Sequence, residues 1–344
     1  MYGKEFINDF SRLGEIISEA LTSGLKNSFL KEAVTLSCKN NYLFTPNMVG
    51  YALKFITKSY LDTEKLTAWL SCYPSAGVPS SGKVGIVMAG NIPLVGFHDF
   101  LSVMASGYRA EIKLSSKDPY LLPAICKVLC RISGFWKERI IFTDRIEKDV
   151  VCMLLTGGSQ ALSYFREEYA SVPRIERSSR SSLALLDGNE SPGELSLLSE
   201  DIFLYYGMGC RSVNFLLLPQ GYDLKELIAP LSVFSHELHS EDFRQAYRYR
   251  KALLLSEKED FTDGGFFILR NSSSFPPPLG VVNYSFYSKM EDAKNIIENN
   301  SDKLQCVVGN HLPFCNIAFG SAQKPSLWDY ADGIDTFNFL MNFD

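Results

Sequence analysis

The chain has 344 residues, 46% of them hydrophobic and 13% aromatic, with a formal net charge of -5. That length can bury more than one core, and two domains are expected. Lys and Arg are scattered rather than gathered in a stripe, and a pI near 5.6 excludes the electrostatic footprint of a nucleic-acid binder, while a local basic site for a nucleotide or a small acidic substrate remains open.

No run approaches the roughly 18 uncharged apolar residues of a membrane span, so no stable membrane insertion is expected. The N-terminus Met1-Tyr2-Gly3-Lys4-Glu5 lacks the basic-then-apolar order of a signal peptide, and the expectation is a cytoplasmic protein.

Residues 1–75 carry helical spacing: Phe6, Ile7, Phe10, Leu13, Ile16, Ile17, Ala20 and Leu21 form one stripe, Val49, Ala52, Leu53, Phe55 and Ile56 another. Thr45-Pro46 and Asp62-Thr63 are start signals for the later helices. The turn-rich stretch Pro74 to Gly82 marks a boundary. From there strands and helices alternate: strand Lys83–Ala89, helix Pro93–Ala105, strand Ala110–Leu114, helix Pro119–Ile132, strand Arg139–Phe142, strand Val150–Leu155 and a helix near Gln160–Tyr169. That order predicts a parallel sheet covered on both faces. The loops at 90–93, 115–118 and 156–159 then follow strand ends and should share one crevice.

Residues 174–310 form a second α/β stretch. Ser191-Pro192-Gly193-Glu194 reads as a capping box. The helix it opens, striped with Leu195, Leu198, Ile202 and Tyr206, delivers the chain to Gly207. Pro276-Pro277-Pro278 is a rigid connection, and Asp292–Asn299 a short helix.

The eight cysteines (38, 72, 126, 130, 152, 210, 306, 315) and four histidines (98, 236, 239, 311) show no C-x-x-C pair and no metal-ligand spacing, so no metal is expected. Cys126 and Cys130 fall on one apolar helix face as core. Cys210 differs, because it ends the turn Gly207-Met208-Gly209 ahead of the apolar run Val213 to Leu218. There a flexible backbone can aim its own N–H at the oxygen of a substrate bonded to sulfur, which suits acyl transfer. A buried, inert thiol is the commoner fate of a free Cys, and position alone leaves both readings open.

Four loops in one order, Gly90-Asn91-Ile92-Pro93, Lys113-Leu114-Ser115-Ser116, Thr156-Gly157-Gly158-Ser159 and Gly207 to Cys210, resemble the signatures of the aldehyde dehydrogenase superfamily. Among its branches the chain is most similar to the LuxC-type acyl-CoA reductases, the fatty-acyl reductase family. The similarity runs over about residues 40–340, including Ser80–Ser116, Asp201–Pro219 and the tail Phe319–Asp335.

The resemblance implies an α/β, aldehyde dehydrogenase-like fold. Behind an N-terminal helical layer (1–75) it places a Rossmann-like NAD(P)-binding domain (76–174), an α/β catalytic domain with the thiol (175–310) and a C-terminal segment (311–344) closing the cleft. It makes Cys210 the nucleophile and Asn91 a donor to the substrate oxygen, although from its own motif Asn91 is equally a turn residue. Lys113 would bind the adenosine ribose, and Thr156, Gly157 and Ser159 would underlie the dinucleotide. Ser116 replaces the acid of NAD-preferring members, which implies NADPH over NADH.

Two departures stand out. Glu176 lies where the superfamily has Glu-Leu-Gly-Gly-Lys, but the glycines are missing, so its role as a water-activating base is weakly supported. Ser273 to Gly280 replaces the Glu-x-Phe-Gly-Pro segment that holds nicotinamide ribose. The implied reaction is NAD(P)H-dependent reduction of an acyl-CoA or acyl-carrier-protein thioester to the aldehyde through an acyl-cysteine. Aldehyde oxidation with Glu176 as base, and a non-catalytic scaffold, are the alternatives; a homo-oligomer is compatible with each.

Overall fold

The computed structural model describes residues 2–26, 28–73 and 81–343. Most of the expected boundary stretch, residues 74–80, lies outside them. The chain divides into two units, Met1–Ser178 with Pro325–Asp344, and Ser179–Lys324.

The first unit opens with helices α1 (Tyr2–Thr22), α2 (Leu30–Asn40), α3 (Pro46–Ser59) and α4 (Thr63–Ser71). Both expected start signals are used: the Thr45 side chain accepts the Met48 N–H ahead of Pro46, and Asp62 accepts the Lys65 N–H. The alternation that follows is β1 (Lys83–Val87), α5 (Phe97–Ser106), β2 (Arg109–Lys113), α6 (Leu121–Ile132), β3 (Ile140–Phe142), β4 (Cys152–Thr156), α7 (Ser159–Glu168) and β5 (Arg174–Arg177). These strands form one parallel sheet in the order β3-β2-β1-β4-β5. The α1 stripe Phe6, Phe10, Leu13 and Ile17 joins Val84, Ile86, Ile112 and Leu129 in a single buried cluster, so the N-terminal helices share a core with the sheet.

Helix α5 starts at Phe97 rather than Pro93. Leu94 takes a left-handed φ of 57°, which no helix continues through. The C-terminal stretch belongs to this unit. Trp69 donates to the Tyr330 hydroxyl at 2.8 Å and Tyr73 to Asp335 at 2.8 Å. Arg177, at the end of β5, pairs with Asp99 of α5 and donates to Thr336 at 2.6 Å.

The second unit comprises β6 (Ser181–Leu185), α8 (Pro192–Phe203), β7 (Val213–Pro219), α9 (Lys225–Ser232), α10 (Glu241–Glu257), β8 (Thr262–Asp263), β9 (Ile268–Asn271), β10 (Val281–Tyr287), α11 (Met290–Asn299) and β11 (Leu304–Val308). Its sheet runs β11-β6-β7-β10-β9-β8, parallel except for β8. The capping box forms as expected: Ser191 Oγ accepts the Glu194 N–H at 3.3 Å, and Glu194 accepts the Ser191 N–H at 2.8 Å. Leu195, Leu198 and Ile202 are buried, but α8 ends at Phe203, so Tyr206 is not part of its stripe. Among the described residues, no helix is long and apolar enough to cross a membrane.

The Arg177–Asp99 pair has side chains only 7% and 8% exposed. Removing one partner leaves a buried charge uncompensated, at a cost of about 3–5 kcal/mol, whereas removing both relieves it. Arg177→Met should therefore unfold at markedly lower urea than wild type, and Arg177→Met with Asp99→Leu should recover much of the loss. Denaturant titrations of the three proteins check this, and a double variant no more stable than the single would contradict it.

Candidate active site

Register decides where the strand ends of the first unit fall. Val87 of β1 pairs with Lys113 of β2 and with Leu155 of β4. Because the strands are parallel, the loops after β1, β2 and β4 all leave the same edge of the sheet. The order β3-β2-β1-β4-β5 reverses its winding between β1 and β4, the place where open α/β sheets bind ligands.

The first two of these loops are packed into one surface. A Cβ on Gly90 would meet Ser115 Oγ at 2.7 Å and Lys117 Cβ at 3.0 Å, so glycine is what allows the approach. Asn41 Nδ2, just beyond α2, donates to the Gly90 and Lys117 carbonyls at 3.2 and 3.4 Å, and Asn40 Nδ2 donates to Ser116 O at 2.7 Å. Asp118 accepts the Leu94 N–H at 2.9 Å; burial pushes its pKa up to about 6. Asn40, Asn41 and Asp118 escaped the sequence reading because their partners are close only in the folded chain.

Asn91 is half-buried in the bend after β1. Lys113 closes β2 and donates from Nζ to the Asp144 carbonyl at 2.7 Å, while Ser116 is exposed in the next loop. Thr156 closes β4, and the Gly157 N–H is held by the Arg177 carbonyl at 3.2 Å. Gly158 is the N-cap of α7 without a side-chain cap, has nothing within 4 Å of where a Cβ would sit, and precedes the exposed Ser159.

Cys210 belongs to the second unit and is half-buried ahead of β7. The chain reaches it through an unusual run: Tyr205 (φ 56°, ψ 31°) and Tyr206 (φ 57°, ψ 26°) are left-handed, and so is Gly207 (φ 71°). The turn itself is closed by the Ser212 N–H on the Gly209 carbonyl at 3.0 Å. Ser182 Oγ donates to the Cys210 carbonyl at 3.0 Å. In the planar trans peptide joining Gly209 to Cys210, C=O and N–H point opposite ways. With the Gly209 oxygen turned toward Ser212, the Cys210 N–H is directed away from the turn.

The carboxylate of Glu176 on β5 is shared between Arg166 at 2.6 Å and Arg174 at 2.7 Å, and the Arg166 hydrogen bond holds its pKa below the ordinary value. Burial raises the thiol pKa of Cys38, Cys126 and Cys130, and carries Cys152 to about 12 and Cys315 to about 11. Such thiols hold little thiolate at neutral pH.

No protein-family model and no curated protein sequence is similar to the chain. Solved structures are. A betaine aldehyde dehydrogenase from Staphylococcus aureus superposes with a TM-score of 0.65 at 11% identity, covering 94% of this chain and 73% of that one. An aldehyde dehydrogenase from Bacillus cereus gives 0.66 at 14%, covering 92% and 76%. One from Mycobacterium tuberculosis, complexed with NAD+, gives 0.61 at 13%, covering 90% and 73%. The fold is thus the α/β, aldehyde dehydrogenase-like one expected from the sequence, a Rossmann-like unit and a second α/β unit.

Asp118 offers a test of the loop surface. Its folded pKa of about 6 lies above the ordinary carboxylate value, so the folded chain binds this proton more tightly than the unfolded one. Stability from this group is greatest at low pH and declines as pH rises toward the folded value. Asp118→Asn keeps an acceptor for the Leu94 N–H and cannot ionise, so it should gain stability relative to wild type between about pH 4 and pH 6. Melting temperatures across that range measure it; a constant difference between the two proteins would refute the assignment.

Proposed function

We propose that this protein reduces an acyl thioester, acyl-CoA or acyl-carrier-bound, to the aldehyde, with Cys210 carrying the acyl group and a nicotinamide cofactor as reductant. The observation that carries this reading is the Cys210 turn, in which a half-buried thiol and its own directed N–H lie at the end of a left-handed run. The fold it shares with aldehyde dehydrogenases, and the loop order resembling LuxC-type reductases, support the same chemistry.

The first unit has the features a dinucleotide requires. An uncapped α7 N-terminus with open space at Gly158 would receive phosphate through Gly158 and Ser159, with Thr156 and Gly157, whose N–H is held by the Arg177 carbonyl, beneath them. Lys113 and Ser116, on the same sheet edge, would hold the adenosine ribose and its phosphate.

In the proposed sequence the Cys210 thiolate adds to the thioester carbonyl, and the Cys210 N–H stabilises the oxyanion. The resemblance to LuxC-type reductases would make Asn91 the second donor. Collapse expels the CoA or carrier thiolate and leaves acyl-cysteine. A nicotinamide held by Lys113, Ser116 and the α7 N-terminus would supply the hydride, and collapse of the Cys210 thiohemiacetal, breaking its C–S bond, would release the aldehyde and re-form the thiolate. No water need be activated on this route. Glu176, with its carboxylate committed to two arginines, is poorly suited to be a base, which supports reduction over aldehyde oxidation.

Cys210→Ala should take up no acyl group from radiolabelled acyl-CoA and show no NADPH-dependent turnover, while melting like wild type. Asn91→Ala should still fold and lose roughly 10²–10³ in turnover. Labelling of Cys210→Ala at the wild-type level would end this reading.

Cofactor choice is tested at Ser116. A hydroxyl there, with Lys113 and Lys117 nearby in sequence, accommodates a 2′-phosphate through charged hydrogen bonds worth roughly 1.5–3 kcal/mol, about tenfold or more in affinity. Wild type should bind NADPH more tightly than NADH, and Ser116→Glu should erase or reverse the preference. Dissociation constants for both cofactors decide it, and equal wild-type values would overturn it.

A further inference from the structure

The Gly209–Ser212 turn is fastened from a distant part of the chain. Gln323, only 7% exposed, donates from Nε2 to Ser212 Oγ at 2.9 Å, and the same Oγ accepts the Gly209 N–H at 3.1 Å. A hydroxyl oxygen has two lone pairs, so two incoming donors fix its rotamer as an acceptor. Gly209 is then held on both sides, its N–H by Ser212 Oγ and its carbonyl by the Ser212 N–H.

The segment bearing Gln323 is itself anchored. Asp201 on α8, fully buried, accepts the Gly320 N–H at 2.7 Å with one oxygen and the Ala322 N–H at 2.9 Å with the other. Lys324 reaches back to Glu200 at 2.9 Å and to the Gly320 carbonyl at 2.8 Å. The amide of Gln323 is therefore presented from a fixed backbone to a fixed hydroxyl. Left to itself, a Gly-x-Gly turn would sample several peptide orientations.

We propose that Gln323 is a positioning residue for Cys210: through Ser212 Oγ it holds the Met208–Gly209 peptide, and so limits how far the adjoining Gly209–Cys210 peptide, whose carbonyl is held by the Ser212 N–H, can turn and in which direction the Cys210 N–H meets a developing oxyanion. The inference rests on the reading of Cys210 as the acyl-carrying nucleophile. Gln323 touches no reacting atom in this scheme, and its effect passes through Ser212 and Gly209 alone.

The test uses the full chain as wild type, Gln323→Met, Ser212→Ala and the double variant. Amide exchange of the peptide covering residues 207–213 is followed by mass spectrometry. Acylation of Cys210 by decanoyl-CoA is followed by rapid quench. Gln323→Met, close in shape to Gln but without the donor, should speed exchange in that peptide about tenfold, as expected for one lost hydrogen bond. It should slow acylation about ten- to hundredfold with the decanoyl-CoA KM within about twofold. The double variant should lose no more than Ser212→Ala, because both act on one contact. If Gln323→Met does not fold, Gln323→Ala serves in its place. Unchanged exchange at 207–213, or losses that add in the double variant, would overturn the proposal. Should wild type form no acyl-enzyme at all, the reading of the reaction falls, and the exchange measurement still decides the positioning role.

Discussion

A central strand hydrogen-bonded on both sides by parallel neighbours is the constraint on which the rest depends. In the first unit it is β1, between β2 and β4; in the second it is β7, between β6 and β10. A shift of one residue would turn every side chain of such a strand to the other face, so its register is strongly fixed. With register fixed, the strand ends are fixed, and the loops after β1, β2 and β4 must leave one edge. In the second unit the same logic reaches Cys210 directly. Val213, the first residue of β7, pairs with Ser182, and Ser182 Oγ catches the Cys210 carbonyl. The thiol is thus indexed to the sheet.

The left-handed residues ahead of Cys210 are strained. Two consecutive tyrosines in that region cost on the order of 1–2 kcal/mol each, and such strain persists only where surrounding contacts over-determine it. Those contacts are present. Tyr206 is 2% exposed, its hydroxyl accepts the Ser240 N–H at 3.1 Å, and its ring lies 5.2 Å from that of Phe243. The Met208 N–H closes on the Tyr205 carbonyl at 3.1 Å. At Gly207 a Cβ would both suffer the positive φ and meet the Ile202 carbonyl at 3.1 Å, which explains glycine there. The run turns the chain sharply off the end of α8, so the thiol is presented by a turn rather than along the helix axis.

What the sequence makes legible is what short-range chemistry decides. Thr45, Asp62 and Ser191 cap their helices as read, because a cap needs only its own first turn. The alternation of short apolar strands and helices likewise gives the parallel sheet. The failures are tertiary. Pro93 looks like the first residue of a helix, yet Asp118 draws the Leu94 N–H into a turn, and α5 waits until Phe97. Tyr206 sits at helical spacing after Ile202, yet the left-handed run removes it from the helix. Of the candidate residues, Asn91, Ser116 and Thr156 in the first unit and Cys210 in the second stand in loops that read as motifs. Their supports were not legible, because Asn41 finds Gly90 across 49 residues and Gln323 finds Ser212 across 111.

Asp118 and Asp201 solve one problem in the same way. Each is a buried carboxylate that binds backbone N–H groups of a loop, Asp118 that of Leu94, Asp201 those of Gly320 and Ala322. Neither is held by an ion pair of the exposed kind formed by Arg12 and Glu15, which salt screens and which contributes about 1 kcal/mol or less. Inside the protein the carboxylate faces two opposed effects: desolvation favours the neutral acid, and each donated N–H favours the ion. The balance leaves Asp118 near 6 and Asp201 near 7. Losing an N–H donor would leave desolvation less opposed and push the group further toward the neutral acid, which is the weaker acceptor. The order of each loop and the charge of its carboxylate therefore depend on each other.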